Sequence, residues 1–94
     1  MYDDGNIFSK IIKKQIDVSI IFENESILAF HDIKPKAKIH VIIIPKQSVI
    51  NYEDFIKQNK HKPAKITEFF ENINHIAINV LKLNSFQIIT NNNK

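Results

Sequence analysis

The apolar positions of this chain change period several times, and each change marks a predicted element. Phe8, Ile11 and Ile12 recur at helical spacing with Lys10, Lys13 and Lys14 mostly toward water, and Asn6 stands where an N-cap belongs. A short amphipathic helix is predicted there. From Val18 to Glu23 and from Ile27 to Asp32 the residues are β-branched, aromatic or alternating, and Asn24-Glu25-Ser26 supplies turn chemistry between them. This reads as a hairpin. Lys34-Pro35-Lys36-Ala37-Lys38 interrupts the pattern, and a third strand is expected from Ile39 to Ile44, closed by Pro45. Gln47 to Asn59 has no clear period and reads as a loop with a short helical turn.

After Pro63, a good helix start, the stripe Ile66, Phe69, Phe70, Ile73, Ala77, Val80 and Leu81 predicts one long helix from Ala64 to Leu83. Asn84-Ser85 gives a turn, and Phe86 to Thr90 reads as a fourth strand. The order helix, three strands, long helix, strand places the chain in the α+β class with a mainly antiparallel sheet.

Composition narrows the functions on offer. Ninety-four residues allow one small domain, spanning 1–94, and no second. Hydrophobic residues are 44% and charged residues 24%, the balance of a packed globular chain. The 20 Ile, 13 Lys and 11 Asn reflect coding bias, so lysine density alone says little about partners. All cations are Lys, and the net charge of +3 comes without a bidentate guanidinium for carboxylate or phosphate. With no Cys there is no disulfide, no thiolate metal site and no Cys nucleophile, which fits a reducing compartment. The acidic opening Met1-Tyr2-Asp3-Asp4-Gly5 is wrong for a secretory signal, and no apolar run nears the roughly 18 residues of a membrane span. A soluble, cytoplasmic protein with no membrane partner is expected.

Four histidines, His31, His40, His61 and His75, are the groups with an ordinary pKa near neutrality. A His31/His40/Asp32 site can be drawn, but dedicated metal sites use tighter ligand spacing, so no metal is expected. His61 reads as a solvated loop residue and His75 as a helix residue at the edge of the apolar stripe. The lone Gly5 removes nucleophile elbows, glycine-rich phosphate loops and the dinucleotide fingerprint.

The blocks Asn6-Ile7-Phe8-Ser9-Lys10-Ile11-Ile12, Ile21-Phe22-Glu23-Asn24 and Leu28-Ala29-Phe30-His31-Asp32-Ile33-Lys34-Pro35-Lys36-Ala37-Lys38-Ile39-His40-Val41-Ile42-Ile43-Ile44-Pro45-Lys46 closely resemble the histidine-triad (HIT) family of nucleotide hydrolases and transferases. The resemblance runs from Asn6 to about Asn91. It implies an α+β HIT-like fold and related purine nucleotide phosphoramidate or dinucleotide hydrolases. It also implies roles for particular residues. Phe8, Ile11, Ile16 and Ile33 match an apolar slot for the base, and Asp32 matches the carboxylate that accepts hydrogen bonds from the ribose hydroxyls. An ionised Asp is acceptor-only, which suits a sugar hydroxyl and repels phosphate. His40 matches a histidine outside the triad that hydrogen-bonds into the catalytic cluster, and Asn91 an Asn near the phosphate.

The departures matter as much. The family's His-x-His-x-His strand supplies the nucleophilic imidazole, and the chain ends at Lys94 before any such motif. A HIT-like domain lacking its final catalytic strand is therefore expected, with no catalytic residues of its own and no cofactor. Asn6 and Ser9 stand where zinc-bound relatives carry Cys-x-x-Cys, and Asp17 replaces a usual proline. The expectation is a catalytically silent chain retaining purine nucleoside or nucleotide binding. The alternative is an interaction remnant that forms a homodimer through its long helix and last strand, which resemble the pairing elements of HIT dimers. Nucleic-acid binding through Lys34, Lys36, Lys38 and Lys46 is disfavoured because no aromatic interleaves them.

Overall fold

The computed structural model describes residues 7–32 and 39–90. Helix α1 (Ile7–Ile12) is followed by strands β1 (Ile20–Glu23), β2 (Ile27–His31) and β3 (Val41–Pro45), then by helices α2 (Tyr52–Asn59) and α3 (Pro63–His75) and a π-helical turn (Ile76–Val80). The sheet is antiparallel in the order β1-β2-β3. Residues up to Gln47 and residues from Ser48 form two compact units.

In the first unit the hairpin forms where the sequence puts it. Asn24 Oδ1 accepts hydrogen bonds from the backbone N–H groups of Ser26 (2.8 Å) and Ile27 (2.9 Å), the local geometry for which Asn is favoured in turns. Ile20 pairs with Phe30 and Phe22 with Ala29, which leaves Ile21 as the extra residue of a β-bulge on β1. β2 and β3 pair without irregularity from Ile27 with Pro45 to His31 with Val41.

Residues paired across a sheet share a face, and the face alternates along each strand. Leu28, Phe30, Ile42 and Ile44 therefore lie on one face, and the packing agrees. Ile11, Leu28, Phe30 and Ile44 form a buried cluster against which Phe8, Ile12, Ile16, Val18 and Ile42 pack. Thus α1 lays its apolar side on this face.

α1 ends in a way its sequence hides. Lys14 N–H donates to Ile11 O (3.0 Å), Gln15 N–H donates to Lys10 O (2.8 Å), and Lys14 has φ 63°. This is a Schellman termination with lysine in the left-handed position that glycine usually fills.

In the second unit, Gln47 to Asn59 is more helical than expected. Asn51 caps α2 by accepting from Asp54 N–H (2.9 Å), while Asp54 reaches back to Ile50 N–H (3.0 Å). The polar box at both ends of the first turn fixes the helix start where hydrophobic periodicity gave no signal. Phe55 is buried and its ring lies 4.9 Å from that of Phe69 on α3.

The long helix begins at Pro63, one residue before the expected Ala64, and its α-helical part stops at His75. Leu81 N–H bonds to Ile76 O and Leu83 N–H to Ala77 O, and Lys82 turns left-handed at φ 54°. This wider turn holds more residues than an α-turn and rotates the following side chains off the stripe. Ile76 and Ala77 are buried there, whereas Val80 is exposed. Phe70, expected on the inward stripe, is exposed as well.

The fourth strand is not formed: Phe86 to Thr90 carries no strand assignment, and Phe86, Ile88 and Ile89 are exposed. A strand is defined by its ladder, which alternation within one segment cannot supply.

Candidate functional site

The ladder between β2 and β3 runs one step past the strands. Asp32 N–H donates to His40 O at 3.0 Å, so Asp32 and His40 stand opposite each other in register with Phe30 and Ile42 two residues away. By alternation both fall on the face covered by α1. Their side chains meet: His40 Nδ1 lies 3.2 Å from Asp32 Oδ2. A carboxylate and an imidazole thus form a polar end to the apolar stripe of Leu28, Phe30, Ile42 and Ile44, and each restricts the other's rotamer.

Of the residues to which the resemblance gives a role, Phe8, Ile11 and Ile16 come together on that same face. Ile11 is only 3% exposed, so it belongs to the core before it belongs to any surface slot. Ile33 and Asn91, and the lysines at 34, 36 and 38, lie outside the described residues, as does Asn6.

His31 follows Phe30 and precedes Asp32, so it points to the opposite face of the sheet. The drawn His31/His40/Asp32 triad therefore does not converge. Among the described residues no three His, Asp or Glu groups are placed to share a metal ion. His61 is exposed between α2 and α3, and His75 Nδ1 lies 3.2 Å from Asn79 Oδ1 on the second unit. Beside that pair an open groove of about 610 Å³ runs along α3, lined by Ile66, Phe70, Glu71 and His75 among others. It contains none of the residues with an implied role.

One charged group in the first unit gave no sign in the spacing. Glu23 receives Lys14 Nζ on Oε1 at 2.6 Å and Lys46 Nζ on Oε2 at 2.7 Å. These bonds, that from Lys14 first and that from Lys46 second, hold the Glu23 carboxyl below the usual carboxylate range. Only the fold could bring together residues so separated in sequence.

Known proteins agree with this architecture. A family model described as "Scavenger mRNA decapping enzyme C-term binding" matches residues 5–90. An uncharacterized HIT-like protein of Rickettsia prowazekii is 44% identical over 92 residues, covering 97% of this chain and 75% of the relative. The chain belongs to the histidine-triad family. The fold agrees with that of solved HIT proteins. A HIT family hydrolase from Clostridium thermocellum superposes with a TM-score of 0.80 at 30% identity, over 95% of this chain and 76% of that one. A HIT-like protein from Bartonella henselae, described as involved in cell-cycle regulation, superposes with a TM-score of 0.69 at 30% identity. The chain covers 59% of that protein's length, and 87% of its own is matched. Among the described residues no helix of this HIT protein is long and apolar enough to cross a membrane.

Proposed function

We propose that this HIT-like chain binds a purine nucleoside or nucleotide, with the base against the half-buried Phe8 and Ile16, which Ile11 backs from the core, and the ribose hydroxyls donating to Asp32. One observation carries the reading: a paired carboxylate and imidazole sit at the end of the apolar face on which α1 packs. The Asp32 and His40 side chains are 22% and 36% exposed, so the pair stays open to a ligand, and a part-exposed pair of this kind adds little to stability by itself. In this reading His40 orients the carboxylate. None of the four histidines in these ninety-four residues stands in a His-x-His-x-His run, so the same proposal has them bind without hydrolysing.

Calorimetric titration with adenosine tests the binding. Wild type should bind, and Asp32→Ala should bind about tenfold or more weakly, the size of a hydrogen bond to a charged acceptor. Equal affinity of the two proteins removes the ribose role. Turnover of an adenosine phosphoramidate well above a heat-killed control would contradict the non-hydrolytic part.

A second reading, association of two copies, is favoured by a different observation: Phe70, Ile78, Phe86, Ile88 and Ile89 of the second unit are all large, apolar and exposed. Sedimentation across a concentration series tests it. A dimer with no thermal shift on adding adenosine would support this reading over the first, and a monomer throughout would dismiss it.

A further inference from the structure

Register locates Glu23 as well as Asp32. Glu23 pairs with Leu28, and Leu28 pairs with Ile44, so the three share the face on which α1 packs. Along β2 the rows are Leu28, then Phe30, then Asp32, so Glu23 borders one end of the apolar face and the Asp32–His40 pair the other, about 13 Å away at the rise of a strand. Lys46 follows Ile44 by two residues at the Glu23 end, and Lys14 arrives there from the end of α1. One carboxylate therefore ties α1, β1 and the end of β3 together.

The backbone at Lys14 argues that this contact is built in. A left-handed turn at the close of a helix favours glycine, and a β-carbon there is unfavourable. Glycine would complete the Schellman turn more easily, but it could not reach Glu23. The chain accepts the strained residue and gains an ammonium on the carboxylate.

We propose that Glu23, through Lys14 and Lys46, is a positioning residue for the nucleoside slot: it fixes the C-terminal end of α1 on the sheet and so sets how Phe8 and Ile16, backed by Ile11, meet the base. This rests on the nucleoside-binding reading above. Glu23 touches no ligand in it. An uncharged nucleoside also feels no direct Coulomb attraction from the clamp, so any effect on its affinity passes through α1.

The informative variant is Lys14→Gly, which removes the ammonium and favours the left-handed turn. If lysine served only the turn, this change would leave adenosine binding intact. If it positions α1, the thermal midpoint holds or rises while the adenosine Kd increases about three- to tenfold, the range two partly exposed ion pairs transmit. Lys46→Met should weaken binding in the same direction, and Lys57→Met, which breaks only the pair with Glu53 within α2, should not. An unchanged Kd in both Lys14→Gly and Lys46→Met, with Asp32→Ala losing binding, overturns the positioning role and leaves the nucleoside reading standing. No adenosine binding by wild type overturns both. Should Lys14→Gly unfold, Lys46→Met alone decides, because it leaves the backbone of the turn untouched.

Discussion

Replacing Glu23 by Gln keeps the shape of the side chain and removes its charge, so its effect on stability should depend on pH in a defined direction. Glu23 and Lys46 are 28% and 25% exposed at their side chains and Lys14 is 52% exposed, so the Lys46 pair belongs near the top of the range for surface ion pairs and the Lys14 pair near the bottom. Together they contribute about 1 kcal/mol, which for a domain of this size is about 4 to 8 °C in Tm. The folded Glu23 carboxyl titrates below its ordinary value of 4.5, so as pH falls the unfolded chain takes up the proton first. The stabilisation is therefore complete above 4.5 and is lost as pH drops through the lower, folded value. Thermal melts of wild type and Glu23→Gln by circular dichroism should differ at pH 7 and converge in acid, where the protonated Glu is as neutral as Gln. High salt should narrow the neutral-pH gap by screening. A gap at pH 7 that persists unchanged after Glu23 is protonated would refute the reasoning, because shape and not charge would then be responsible.

Two further outcomes follow from burial and capping. Ile11→Ala should cost about 2 to 5 kcal/mol, because the side chain is 3% exposed within the buried cluster. Urea denaturation reads it as a lower midpoint at unchanged slope, and a loss under 1 kcal/mol would take Ile11 out of the core. Asn51→Ala removes the acceptor for Asp54 N–H at the start of α2 and should cost about 0.5 to 2 kcal/mol. Faster hydrogen exchange in the first turn of α2, with no change in β2, checks that the loss is local.

Where local chemistry decides structure, the letters were legible. Asn24 makes the turn, Pro63 starts α3, and the β-branched and aromatic runs of β2 and β3 form the sheet that the residues predict. The pairing of Asp32 with His40 was half legible: each residue stood out, but their contact depends on the register of two strands. The sequence could not show that His31 points away from them, although the same alternation explains it once the register is known. α2 is longer than the short helical turn expected between Gln47 and Asn59, because the Asn51-to-Asp54 cap is a polar signal that the apolar period does not carry. The fourth strand was over-read for the opposite reason, since Phe86 to Thr90 has the residues of a strand and forms no ladder. The π turn after His75 shifts Val80 off a stripe that assumed one constant period.

The arrangement of the first unit has a consequence for how its core and its proposed site constrain each other. Ile11, Phe8 and Ile16 hold α1 on the sheet, and the side of α1 they form is the one proposed to meet the base. A change that loosens α1 without easing its backbone, such as Glu23→Gln, should then lower stability and affinity together, whereas a change at Asp32 should lower affinity and leave the cluster packed. Ligand binding works the same link in reverse, because a nucleoside that binds only the folded state raises stability by RT ln(1 + [L]/Kd). Saturating adenosine should therefore recover part of the Tm lost in Glu23→Gln, at concentrations scaled to that variant's weaker Kd, but recover far less in Asp32→Ala. In the proposed reading core packing and ligand contact share one surface, and the clamp at its far end acts on both without touching the ligand.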